Sequence, residues 1–186
     1  MPGFVHLHNH TTYSLLDGAQ KIDEMCARAA ADGQSAIAVT DHGNLFGAIS
    51  FGRKAAAHGL KPIVGIEAYV APGSRHERQP HMVDGVGRKN YFHLVLLAEN
   101  YTGYKNLIKL ASAGYLEGFY YRPRIDMELL REHSEGLICL SACLAGEVAS
   151  LLARDQYDRA SRIAAEFREI FGDRYWLEMQ DRKSVV

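Results

Sequence analysis

Residues 36–67 read AIAVTDHGNLFGAISFGRKAAAHGLKPIVGIE. Ala36-Ile37-Ala38-Val39-Thr40 is a short, unbroken apolar run, the pattern of a buried strand. A small-residue-rich helix over residues 45–58 follows and stops at Gly59. Pro62-Ile63-Val64-Gly65-Ile66 is the next strand. The same alternation continues in both directions. Phe4-Val5-His6-Leu7-His8 reads as a strand, and residues 20–32 as a helix with its apolar stripe at Ile22, Met25, Cys26 and Ala29. Further strands are expected at residues 92–98, 137–140 and 175–179, with helices over about 104–115 and 157–171. Residues 71–90 hold Pro72, Gly73, Pro80, Gly85 and Gly87 and read as a long loop. Strand–helix alternation predicts an α/β fold with a mainly parallel sheet. No strand runs into a Gly-x-Gly-x-x-Gly turn, which disfavours an open dinucleotide-binding sheet and favours a closed barrel.

Composition sets outer limits. The chain has 186 residues, 47% apolar and 23% charged, and a net charge of -1, as expected of one globular domain. That balance does not announce a nucleic-acid binder, although a local basic path is compatible with it. No apolar run approaches the roughly 20 residues that span a bilayer, and the N-terminus lacks the pattern of a signal peptide. Three cysteines, Cys26, Cys139 and Cys143, show no disulfide-framework spacing. The expectation is a cytoplasmic protein with no membrane partner.

Reactive side chains in parallel α/β folds collect where strands end. The first strand runs out into His8-Asn9-His10, the second into Thr40-Asp41-His42-Gly43, the third into Glu67 and the fifth into Ser141-Ala142-Cys143. Alternation along a strand points His8 and His10 the same way. Imidazole, carboxylate and thiolate together suit zinc or a similar cation. A carboxylate such as Glu67 can bridge two cations, which activate a water as nucleophile and neutralise charge on a phosphoryl group. His93 sits near the start of its strand, where the strand-end rule does not place a ligand. Plainer readings exist for each residue taken alone. His6 reads as packing behind His8, Asp41 as a helix cap, and Cys143 as a small buried hydrophobe. Their coincidence at strand ends is what independent plain readings do not produce.

Several segments then become recognisable. Phe4 to Thr11, Leu15-Leu16-Asp17-Gly18, Thr40-Asp41-His42-Gly43 and Gly65-Ile66-Glu67-Ala68-Tyr69 resemble the polymerase and histidinol phosphatase (PHP) domain. The segments at residues 93–98, 118–124 and 140–147 resemble the version at the N-terminus of bacterial replicative DNA polymerase III alpha subunits. The resemblance covers the chain to about Gln180. It implies a distorted (β/α)7 barrel with up to three ions, zinc or manganese. It implies His8 and His10 as ligands of one metal, with Glu67 bridging to a second that His93 and Cys143 also hold. Asp17 and His42 would hold the third. The family completes its site with a late Asp-x-His pair, which this chain does not reach, and Arg182 stands where a His-Gly turn usually follows. The expectation is therefore a PHP domain over residues 1–186, incomplete at its C-terminal end and without polymerase palm or fingers.

The implied activity is a metal-dependent phosphoesterase, of 3′–5′ exonuclease type. Glu67, His8 and His10 would stand at the centre of the chemistry, with Arg122 and Arg124 beside Tyr120 and Tyr121 contacting a nucleic-acid strand. The implied partners are DNA, the rest of a polymerase alpha chain and a proofreading or clamp subunit. Two alternatives stand beside it: an inactive structural or docking module, and a small-molecule phosphatase of the same fold.

Overall fold

The computed structural model describes residues 3–180; Arg182 lies outside them. Elements follow in the order α1 (Ile22–Ala31), β1 (Ala36–Val39), α2 (Ala48–Ala57), β2 (Lys61–Val70), β3 (His81–Val83), β4 (Gly87–Lys89), β5 (Phe92–Ala98), α3 (Tyr101–Leu116), β6 (Arg124–Ile125), α4 (Met127–Glu132), β7 (Leu137–Leu140), α5 (Glu147–Leu152), α6 (Tyr157–Phe171) and β8 (Tyr175–Trp176). Among the described residues, no helix is long and apolar enough to cross a membrane.

The main sheet runs β1-β2-β5-β7-β8, with β6 also paired to β2. It is mixed. Three pairs are parallel, β1·β2, β2·β6 and β7·β8, while β5 runs antiparallel to both neighbours. The expectation of a mainly parallel sheet fails at β5. The chain between β2 and β5 holds no crossover helix, only the antiparallel hairpin β3–β4, so it can return β5 against β2 directly. That hairpin also replaces the loop expected over residues 71–90. Residues 4–8 form no strand, although the segment lies along β1, with Ala38 N donating to His6 O at 3.0 Å and Thr40 N to Asn9 O at 2.9 Å. The last strand is shorter than expected, ending at Trp176.

Period-two alternation divides the two faces of the sheet. Ile66, Ala68 and Val70 of β2, with Leu94 and Leu96 of β5, join the core cluster that includes Leu107, Leu110, Leu130 and Phe167 from the helices. Ile37 and Val39 pack against Cys26, Ala29, Phe51 and Ala55 of α1 and α2. The opposite residues, Glu67, His93, Leu97, Ile138 and Leu140, line a concave cavity of about 980 Å³. One face of the sheet therefore carries the helices and the other carries the polar cluster.

Helix ends are tied by side chains. Asn100 caps α3 by accepting from Gly103 N at 3.0 Å. Asp126 caps α4 by accepting from Leu129 N at 3.1 Å, and it also accepts from Arg75. Gly103 has to be glycine, because a Cβ there would stand 1.8 Å from the Gly136 carbonyl oxygen.

Candidate metal centre

The cluster is organised by one carboxylate. Glu67 is 1% exposed and points from the middle of β2 into the cavity. Its Oε2 lies 3.0 Å from His10 Nε2, 3.0 Å from His42 Nδ1 and 3.4 Å from His8 Nε2. Its Oε1 lies 2.8 Å from His93 Nδ1 and 3.7 Å from Cys143 Sγ. Asp17 Oδ2 is 2.9 Å from His42 Nε2, on the outer side of the cluster. All seven candidate ligands from the sequence therefore meet at one rim.

The antiparallel course of β5 explains His93. Tyr69, near the C-terminal end of β2, is in register with His93, so the start of β5 lies at the same edge as the end of β2. A strand-end rule written for parallel sheets misses such a residue. His42 follows β1 directly and bridges to Glu67, while Cys143 follows β7, whose direction matches that of β2.

Other residues, not singled out as part of the site, hold it in place. Asp41 caps no helix. It is buried and accepts from Thr11 N at 2.7 Å, Thr11 Oγ1 at 2.8 Å and Ser14 Oγ at 2.7 Å, which pins the turn carrying Asp17. Ser14 Oγ in turn accepts from His42 N at 3.1 Å and lies 3.2 Å from His10 Nδ1. Glu178 Oε1 lies 2.7 Å from His8 Nδ1. Tyr69 is buried and stacks on His42 at 5.8 Å between ring centroids. Thr11, Asp41 and Tyr69 lie in the segments that carry the family resemblance, but nothing there marks them as supports, and Asp41 reads as a helix cap.

His6 is exposed and sits edge-on to Phe4, so it does not pack behind His8. Without strand geometry in this segment, alternation does not hold all three rings on one side. Arg122 and Arg124 also part company. Arg122 stands over the Tyr69 ring at 5.9 Å, beside the cluster. Arg124 is fully buried, and its guanidinium donates to the carbonyls of Gly118, Asn90, Arg75 and Glu77. A guanidinium so engaged is not placed to contact a nucleic-acid strand.

The charges fit a cation site. Burial works against ionisation of Glu67, but hydrogen bonds from His10, His8 and His93 hold it well below the usual carboxylate range. Burial also opposes the imidazolium of His8, yet Glu178 and Glu67 outweigh it and push His8 up to about 10. His93 is raised to about 9 because Cys143 and Glu67 likewise outweigh burial. Burial raises the Cys143 thiol less than His93 and the Ala145 N–H lower it, so it falls. His42 is lowered, chiefly by burial, and its Nδ1 is buried without a hydrogen bond among the described residues. Three overlapping groups, His8/His10/Glu67, His10/Asp17/His42 and His42/Glu67/His93, each keep their ligand atoms within 4.8 Å of one another. Nitrogen and carboxylate donors at this spacing suit a metal cation, with the Cys143 thiol beside them.

Comparison with known proteins bears on this arrangement. The family model described as "PHP domain" matches residues 6–182. Among curated relatives, DNA polymerase III subunit alpha of Treponema pallidum is 51% identical over 96% of this chain and 15% of its own length. The subunit of Thermus aquaticus is 51% identical over 96% of this chain and 14% of its own length. The chain thus spans about one seventh of the relatives it matches. A candidate metal-dependent phosphoesterase structure from Bifidobacterium adolescentis aligns over 94% of this chain and 58% of its own, at 13% identity and a TM-score of 0.42.

Proposed function

We propose, from the premise that the chain belongs to the PHP domain family, that its histidine cluster is the metal site of a phosphoesterase. The observation that carries the reading is Glu67, a buried carboxylate enclosed by four imidazoles with Cys143 and Asp17 at its margins. His8, His10, Glu67, His93, Cys143, His42 and Asp17 would hold up to three ions, zinc or manganese. Bound ions would supply Lewis-acid polarisation of a phosphoryl group and a lowered pKa for an attacking water. Glu67 gathers the imidazoles into one site, and Asp41 and Ser14 keep His10 and His42 in place. Arg122, beside the cluster, meets a phosphate of the substrate; Arg124 takes no part in this reading.

The substrate class is a phosphodiester in DNA, hydrolysed from the 3′ end. The chain would be the N-terminal region of a polymerase III alpha subunit acting in the cytoplasm. High identity to two such subunits supports this. The sheet reads as the larger arc of a (β/α)7 barrel. Support comes from its helices lying on one face, and from the His8–Glu178 contact joining the N-terminal segment to the chain after β8. Purified protein loaded with zinc or manganese should shorten single-stranded oligonucleotides from the 3′ end, and His8→Ala should abolish it. Undiminished activity in that variant overturns the assignment.

A second reading, a docking module within a polymerase, draws on exposed Phe46, Leu116, Phe119 and Tyr121. Metal content separates the two: a chain purified without chelators and carrying no ion favours the module. Faster turnover of phosphomonoesters than of oligonucleotides would instead favour a small-molecule phosphatase.

A further inference from the structure

We propose that Glu178 is a positioning residue for the metal centre, acting through His8; this rests on the metal-site reading above. The His8 ring has two distinct sides. Its Nε2 faces the cluster, 3.2 Å from His10 Nε2 and 3.4 Å from Glu67 Oε2. Its Nδ1 faces the opposite way, 2.7 Å from Glu178 Oε1. An imidazole that gives one nitrogen to a cation carries its proton on the other. A carboxylate on that second nitrogen sets the tautomer, fixes the ring's rotation and makes the ligand more basic.

The other histidines are held differently. His10 Nδ1 faces the neutral Ser14 hydroxyl, and His42 faces Asp17, itself a candidate ligand. His8, like His10, lies outside any strand, so its ring gains from an anchor. Glu178 supplies one from 170 residues away. Its backbone N–H donates to Ser141 Oγ at 2.9 Å, and Ser141 N donates to Trp176 O at 3.0 Å, so β7 and β8 set its place. Gln180 Nε2 donates to the same Oε1 at 2.7 Å, which narrows the carboxylate's rotation. The carboxylate is therefore built into the sheet before the metal arrives.

The test compares wild type, Glu178→Gln and Ser141→Ala in the full 186-residue chain, with cobalt(II) as the probe. Affinity is read by competition against a chelator, and the His8 Nδ1 proton by its paramagnetically shifted resonance. Glu178→Gln should weaken the ion held by His8 by about 10–100-fold. It should also move the Nδ1 proton signal, speed its exchange with solvent and leave the other ions unaffected. Ser141→Ala keeps the carboxylate but loosens its tether, and should give a smaller loss of the same ion with a broadened signal. It supplies the reading if Glu178→Gln fails to fold. Unchanged affinity and an unchanged Nδ1 proton in the folded variants overturn the proposal. So does weakened binding whose cobalt-saturated form keeps the wild-type Nδ1 signal and exchange rate, which would make Glu178 a ligand itself. Wild type that binds no cobalt overturns the metal-site reading as well, whereas wild-type binding with indifferent variants overturns this proposal alone.

Discussion

Stripped of metal, the folded chain should lose stability as the pH rises from about 7 to 9, and metal should reverse the loss. His8 lies at about 10 and His93 at about 9 in the folded state, against roughly 6.5 for histidine in an unfolded chain. At pH 8 the unfolded chain holds both rings neutral and the folded chain holds both protonated. The folded state then binds two more protons at these groups, so stability falls with pH. Cys143 acts in the opposite sense, because its lowered thiol releases a proton on folding. The net difference is between one and two protons, or about 1 to 3 kcal/mol per pH unit. The histidine contribution is complete below about pH 6.5 and is lost as the pH passes through 9 to 10. Glu67, lowered, stabilises the fold above the ordinary carboxylate range and loses that effect only in strong acid. His8, His93 and Glu67 together favour the folded chain most between about pH 4.5 and 6.5; within that window the lowered His42 adds stability as the pH rises and the raised Glu147 removes it. Bound metal displaces the same protons, so its affinity should climb with pH. Urea unfolding of EDTA-treated and zinc-loaded protein across pH 6 to 9 reads both effects. Stability of the stripped protein that is flat or rising over that range refutes the proton-laden cluster.

Three further outcomes follow from particular contacts. Asp41→Ala removes a buried acceptor from three donors and should cost about 2–4 kcal/mol, read by thermal melting, with looser metal binding at His10 and His42. Arg124→Ala leaves four backbone carbonyls without their donor and should destabilise by about 3–5 kcal/mol. Arg122→Ala should leave the melting temperature within a degree or two, of order 0.5 kcal/mol, yet weaken oligonucleotide binding in a titration at low salt. Equal effects of the two arginine variants on stability would contradict their different placement.

Much of the candidate site was legible because its residues announce themselves by type. His8, His10, His42, Glu67 and Cys143 were visible at strand ends, and the family resemblance added Asp17 and His93. Support for these groups was not legible. Asp41 beside His42 looks like a helix cap in one dimension, and only the fold brings Thr11 and Ser14 to it. Glu178 is one acid in an apolar run, 170 residues from the ring it contacts. Arg122 and Arg124 are two apart and would share a face in a regular strand. Arg122 instead belongs to the tight turn that bridges it to Tyr120, where Tyr121 has a positive φ of 59°, and only Arg124 lies in β6, so one guanidinium stays at the rim while the other is buried.

The sequence by itself determined that strands and helices alternate, and which residue types suited to metal ligation stand near strand ends. These depend on local periodicity and residue type, which need no partner to be read. Tertiary structure decided the direction of β5. A hairpin rather than a crossover helix joins it to β2, and pairing geometry across the sheet turns that difference into an antiparallel strand. That direction brings the beginning of β5 to the end of β2 and places His93 against Glu67. Imidazoles far apart in sequence then share one buried carboxylate, because strand pairing rather than chain order sets which residues are neighbours.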